Sequence, residues 1–230
     1  MEKKYKILLK LKDYFLENLF CHENELKPML RFQEFNEDWK QIKGKNIYSI
    51  ISGGSYKSSD SQKEGIKWLK IKNVGINRLN ENDVDYLPLK YKNDKKFLLK
   101  KGDIVLALTG TIINSKLKIA IIDNFFNYSL LNQRVGKIDI NNKNINKYFI
   151  YYYLQTNKTI LKIRSKIDGT SPPNLSITDL NEIKFNIPSL NEQNKIVDLL
   201  SNIYDKIRFY ECYINKLNYF KKYLLQNMFC

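Results

Sequence analysis

Cysteine and histidine are scarce. Cys21, Cys212 and Cys230 form no Cys-x-x-Cys pair and leave one cysteine over. That pattern excludes a disulfide framework and fits a reducing cytoplasm with free thiols, a Cys21–Cys230 bridge being the less favoured reading. The sole histidine, His22, falls in a connecting stretch, so no Ser–His or Cys–His pair and no metal cluster is expected. Neither metal nor cofactor is therefore anticipated. No apolar run approaches the ~20 residues of a membrane span. The opening MEKKYKILLK lacks the apolar core of a signal peptide, which again predicts a cytoplasmic chain. Arginine is confined to Arg31, Arg78, Arg134, Arg164 and Arg208.

Lysine, by contrast, is abundant. The 230-residue chain carries a formal net charge of +15. Such an excess suits a polyanion, most naturally nucleic acid. Asn, Ile and Tyr are also plentiful, as AT-rich codon usage would produce, so charge alone does not decide the partner. With 43% hydrophobic residues the chain is globular, with room for one or two domains and a sizeable core.

The two ends of the chain resemble each other. LKDYFLENLFC, residues 11–21, and FKKYLLQNMFC, residues 220–230, share six of eleven residues. The second copy closes a stretch free of Gly and Pro that begins after IPSL. There Ile196, Leu200, Ile203, Ile207, Tyr210, Ile214, Leu217, Lys221, Leu224 and Met228 recur at alternating steps of four and three. A 3.5-residue repeat of this length predicts a coiled-coil helix of about 50 Å rather than a one-sided surface helix. Ser189 and Glu192 predict a capping box at its start. The N-terminal copy keeps the phase: Tyr5, Leu8, Lys12, Phe15 and Leu19 match Ile214, Leu217, Lys221, Leu224 and Met228. Even the polar seam position, Lys12 or Lys221, repeats. Polar seam residues cost stability but set register.

The middle differs in texture. NIYSIISGG, IKWLKIKNVG, KKGDIVLALTG, KIAIID and QRVGKIDI read as short strands parted by turn residues. NKYFIYYYLQTNKTILKI, from Asn146, reads as one helix with its tyrosines inward. GTSPPNLSITDL reads as a loop and helix start, and FNIPSL as a last strand. The predicted fold class is α+β, a mixed α/β globule followed by a long helix and preceded by a short one.

In these stretches the chain resembles the specificity subunit of type I restriction–modification systems. The carriers are ISGGSYKS with EGIKWLKIKNV, KKGDIVLALTGTII, NQRVGKI, SPPNLSITDL, LRFQEFNEDWK and above all IPSLNEQNKIVDLLS. It departs at Ile113 and Asn114, where the family often has Gly after Thr-Ile. It also has one recognition unit and one complete long helix where the usual member has two of each. The resemblance implies an N-terminal helical end-piece (1–21), a linker (22–38), a DNA target recognition domain (39–189) and a coiled-coil spacer and dimerisation helix (190–230). On that reading LKDYFLENLFC is the end of a preceding repeat's helix, and two copies rebuild a two-fold whole.

The resemblance further implies a non-catalytic subunit that reads half of a bipartite site in double-stranded DNA. Its coiled coil would dock methyltransferase subunits and, through them, the restriction/translocase subunit. It would also pair with a second copy or another specificity fragment, using Ile196, Leu200, Ile203, Ile207, Tyr210, Ile214, Leu217, Leu224 and Met228. Gly53, Gly54 and Ser55 would bring backbone amides to a phosphate, though an ordinary turn explains the glycines equally well. The same holds for Thr109, Gly110 and Thr111. Asn114, Ser115 and Lys116 extend that turn as a polar loop. Gln133 and Arg134, taken as strand residues, have the donors that suit adenine and guanine edges. Arg164, Lys166, Thr170, Ser171 and Asn174 belong to a Gly/Pro-broken loop, where binding residues often sit. Lys57, Lys70 and Lys72 are phosphate candidates, and Trp68 is expected in the core.

Three rival readings carry less. TSPPN is similar to a Ser-Pro-Pro-aromatic methyltransferase motif, but Asn174 stands where the ring is needed and no Gly-rich cofactor loop follows a strand. Glu182 and Lys184 with Asp168 mimic a nuclease triad, a pattern expected by chance in so lysine-rich a chain. A silent or inhibitory fragment acting only through protein contacts is the stronger alternative.

Overall fold

The computed structural model describes residues 1–21, 25–167 and 174–228. It opens with α1 (Glu2–Asn18), whose chain continues into buried Leu19, Phe20 and Cys21. Then come β1 (Lys40–Lys43), β2 (Tyr48–Ser52), β3 (Ile66–Leu69), β4 (Asp85–Leu87), β5 (Ile104–Ala107), β6 (Ile112–Ile113), β7 (Lys116–Leu117), β8 (Ile119–Ile121), β9 (Leu130–Leu131) and β10 (Val135–Ile140). The helices α2 (Lys147–Tyr153), α3 (Asn157–Ile167) and α4 (Ile177–Glu182) follow, then β11 (Lys184–Ile187) and the 38-residue α5 (Leu190–Asn227). The result is the mixed α/β domain with a short first helix and a long last one that the sequence predicts.

The central sheet runs β2-β10-β5-β8, all antiparallel. β5 reads IVLA and is buried along its whole length. Alternation sends Ile104 and Leu106 to one apolar core and Val105 and Ala107 to another, so this strand needs no polar face. A second sheet, β4-β3-β9, pairs β3 with β9 in parallel. It holds Trp68 in the core, as expected. The ribbon β1-β11 registers Lys40 with Ile187 and Lys43 with Lys184. It ties the start of the domain to the strand that feeds α5.

The tyrosine-rich stretch forms two helices rather than the single one its composition predicts. The break falls at residues 154–156. Thr156 Oγ1 accepts from the Thr159 N–H (3.3 Å) and so caps α3, a local bond that competes with continuing α2. Tyr151, Tyr152 and Tyr153 are buried as expected.

The predicted capping box at α5 forms by half. Ser189 Oγ accepts from the Glu192 N–H at 3.4 Å. The Glu192 carboxylate turns instead to Arg31, which lies in the stretch read as a linker. Gln193 accepts from the Asn146 N–H (2.9 Å) and donates to the carbonyls of Asn144 and Pro188 (3.0 Å each). These bonds anchor the helix start to the domain. With a rise of 1.5 Å per residue the helix is about 57 Å long. Among the described residues no helix is long and apolar enough to cross a membrane.

The helix changes surroundings halfway. Ile196, Leu200, Ile203 and Ile207 are buried within the chain itself, against the domain and α1. This corrects the expectation that they face a partner. Tyr210, Ile214 and Leu224 are half-buried, and Leu217 and Met228 are exposed. The apolar repeat thus serves the chain's own core first and remains available only beyond Ile207.

Candidate nucleic-acid interface

Four chain segments separated in sequence meet at one end of the central sheet. The Gly54 N–H donates to Leu131 O (2.9 Å), drawing the end of β2 against β9. The Leu108 N–H donates to Arg134 O (2.9 Å), and the Leu175 N–H donates to Leu108 O (2.8 Å). Thr109 Oγ1 then donates to Asn174 Oδ1 at 2.7 Å. The outcome is a cleft of about 600 Å³ lined by Ser52, Gly53, Ser55, Thr109, Gln133, Arg134 and Asn174. Six of these seven are among the residues singled out from sequence. Ser52, which nothing in its sequence neighbourhood distinguishes except the glycines after it, completes the wall.

Gln133 and Arg134 are not strand residues. They occupy a tight turn just before β10, where Asn132 Oδ1 accepts from the Arg134 N–H (3.0 Å) and Asn132 O from the Val135 N–H (2.9 Å). An Asx-type bond of this kind holds the turn without using either exposed side chain. Among the described residues, no side-chain bond or ion pair engages the Arg134 guanidinium. Its five donors are free for a ligand.

The glycines divide. At Gly53 a Cβ would lie 1.9 Å from Leu131 O, so close packing of β2 on β9 already demands glycine there. At Gly54 it would strike the Tyr56 ring at 2.6 Å. Gly110 has φ +58° and open space around it, a left-handed tip on the surface beside Thr109. Thr111 is fully buried, which removes its hydroxyl from the surface.

Other candidates lie elsewhere. Asn114 (φ 49°) and Ser115 (φ 56°) make the two-residue turn of the β6–β7 hairpin, both left-handed as a type I′ turn requires. No glycine is needed, because Asn tolerates that region. The hairpin leans toward α1, where Lys116 Nζ sits 3.5 Å from Asp13. Lys72 Nζ lies 2.8 Å from Asp83 and 2.7 Å from Asp85, and Lys70 Nζ lies 3.1 Å from Asp85 and over the Trp68 ring. Burial pushes the Asp85 carboxyl up, but hydrogen bonds from Lys72, Ser61 and Lys70 outweigh it and hold it at about 2. Both lysines, phosphate candidates from sequence, are therefore ion-paired in place. Lys57 is exposed. Arg164 and Lys166 are exposed near the end of α3, the latter 3.8 Å from Asp179. Thr170 and Ser171 lie outside the described residues, as do Asp168 and Cys230.

The match to known proteins is consistent along the chain. Residues 36–219 match the family described as the type I restriction modification DNA specificity domain. The chain is 34% identical over 194 residues to the type I restriction enzyme MjaVIII specificity subunit of Methanocaldococcus jannaschii, covering 84% of this chain and 45% of that protein. It is 28% identical over 182 residues to the EcoAI specificity subunit of Escherichia coli, covering 78% of this chain and 30% of that one. Its fold is similar to the S subunit from M. genitalium, with a TM-score of 0.65 at 19% identity over 98% of this chain and 55% of the other. The HsdS subunit from Thermoanaerobacter tengcongensis gives 0.58 at 15% identity, over 90% of this chain and 46% of the other. The chain spans less than half the length of the two curated relatives.

Proposed function

This chain belongs to the type I restriction–modification DNA specificity domain family, and from that premise we propose that it reads one half of a bipartite DNA target. The observation that supports this is the cleft at the sheet end. It gathers Gln133 and Arg134, the Gly53–Ser55 turn and the Thr109–Asn174 pair around one concave surface. Arg134 supplies bidentate donors for a guanine edge and Gln133 a donor–acceptor pair for adenine. The neighbouring turns supply amides and hydroxyls for the phosphates that set register. The overall charge of +15 supplies sequence-independent attraction.

In this reading the chain performs no chemistry. Methyltransferase subunits dock on it, and a restriction/translocase subunit joins through them. A second copy, or another specificity fragment, provides the second half-site reader. The 38-residue helix fixes the distance between readers, so a symmetric pair predicts an interrupted palindrome.

The test is a methylome. The chain is expressed with a type I methyltransferase subunit from its own genome in a host without such systems, and modified bases are sequenced. An interrupted palindrome is the expected result. An asymmetric motif would mean pairing with a different specificity fragment. No new methylation, with both proteins soluble, would overturn the proposal in favour of an inhibitory or silent fragment.

A further inference from the structure

Helix α1 runs antiparallel along α5. Lys12 Nζ lies 5.9 Å from the centre of the Tyr204 ring. Two turns earlier in α1, the Tyr5 phenol sits by Glu211, two turns later in α5; burial, then the Glu211 charge, pushes its pKa up. Where the two helices meet residues 75–78 of the domain lies a groove of about 960 Å³, with Tyr5 and Leu9 on the α1 side and Ile207 and Cys212 on the α5 side.

The segment seated there has a copy in the same chain. Residues 11–21 and 220–230 share six of eleven residues, and the seam positions match at a constant offset. Lys12 corresponds to Lys221 and Tyr5 to Ile214. In α1, Leu16 is buried, whereas its counterpart Leu225 is 55% exposed. Met228, the counterpart of buried Leu19, is 67% exposed. The tail of α5 therefore carries the apolar pattern that α1 buries, and among the described residues Leu217, Leu225 and Met228 stay exposed.

The register of α1 has a further property. Transferred to the tail of a second copy, it sets that copy's Lys221 beside Tyr204 and its Ile214 beside Glu211. The same two pairings then recur with the copies exchanged. This is the condition for a closed two-fold pair, with the axis between Cys212 and Tyr213, near the middle of the repeat that runs from Ile196 to Met228. Any antiparallel pairing of two identical helices closes in this way, and the register of α1 places the axis near the middle of the repeat, so that its whole length is paired.

We propose that α1 occupies in cis the seat on α5 that residues 214–228 of a second copy take in the two-fold pair, so that the two compete and α1 limits self-association. The inference rests on the self-association contained in the proposed function. Charge favours the resident helix. Asp13 meets Lys116 at 3.5 Å and Glu17 meets Lys158 at 3.8 Å, whereas the tail carries Lys222 and Gln226 at those places. Tethering adds a high effective concentration. Release of α1 need not unfold the domain, because Phe20 and Cys21, beyond the exchanged segment, anchor the chain in the core.

The test gives α1 the tail's charges. In the full chain, Asp13→Lys with Glu17→Gln should tighten self-association about tenfold in light-scattering titrations, the shift expected for two exposed ion pairs of ordinary strength. Adding Leu224→Asp should remove the gain. Cys212 is exposed beside the proposed axis, so a short bismaleimide should link two copies, more in the exchanged variant and not in Cys212→Ser. A parent that pairs while the exchanged variant pairs no more tightly would overturn the competition and leave the pairing intact. Absence of self-association in every variant at all concentrations would overturn the pairing and, with it, the competition.

Discussion

Arg31 and Glu192 form a two-point ion pair across 161 residues, Nε to Oε1 at 2.8 Å and Nη2 to Oε2 at 2.9 Å. Glu192 is 1% exposed, and its Oε1 also accepts from Trp39 Nε1 at 3.3 Å. The stretch before β1 is thereby bolted to the first turn of α5. The pair positions the long helix against the sheet-bearing domain.

Breaking one side leaves a buried charge without its partner. Arg31→Ala is expected to cost about 3 kcal/mol, because among the described residues the remaining carboxylate keeps only the Trp39 donor. Replacing both residues by Met should recover most of the loss, since the desolvation penalty disappears with the pair. Urea unfolding of the two variants checks this. An Arg31→Ala midpoint equal to the parent's would show that the pair contributes nothing.

Two cations near the sheet should behave differently toward DNA. Arg134→Ala is expected to lose about 1–3 kcal/mol of discrimination between the cognate half-site and its altered base pair. Lys72→Ala should change affinity little, since Asp83 and Asp85 already balance that charge. Competition binding with duplexes of both sequences separates the outcomes. Binding to nonspecific duplex should also weaken steeply as salt rises, and a flat response would contradict a phosphate-driven interaction.

Acid should loosen the second sheet. The folded Asp85 carboxyl titrates at about 2, below its ordinary value of 3.8. A depressed carboxyl contributes stability that is present above the unfolded value and is lost as pH falls through the folded one. Stability should therefore drop by up to about 2 kcal/mol between pH 4 and pH 2 from this group alone. Lys72→Met should shrink that drop, which urea midpoints across the range would reveal. An undiminished drop would assign the acid sensitivity elsewhere.

The two halves of the apolar repeat predict opposite phenotypes for one chemistry. Ile203→Asp places a charge in the chain's own core and should unfold it, a cost of several kcal/mol. Leu217→Asp, at a position 46% exposed, should leave circular dichroism and melting unchanged while weakening self-association. If Leu217→Asp kept the parent's association constant, the distal repeat would not be the pairing surface.

Much of this was legible in order along the chain. The alternating steps of α5 and the inward tyrosines of α2 follow from periodicity, which a linear sequence records directly, whereas β5, expected in a half-buried sheet, is buried on both faces. The gathering of Gly53, Thr109, Arg134 and Asn174 was visible only as separate turn signals. That they share one cleft depends on the pairing of β2, β5 and β10, a long-range matter. The break between α2 and α3 was missed because Thr156 acts through a local hydroxyl bond, which composition does not weigh.

By itself, the sequence determined the element types, the long helix with its 3.5-residue repeat, the basic charge and the duplicated end segment. Each depends on neighbours within a few residues or on simple sums. Tertiary structure alone decided which half of the repeat is spent inside the chain and which lysines are neutralised. It also decided that Glu192 serves Arg31 rather than its own helix cap. Those outcomes depend on which groups meet after the chain closes, and burial and charge pairing are set by that meeting.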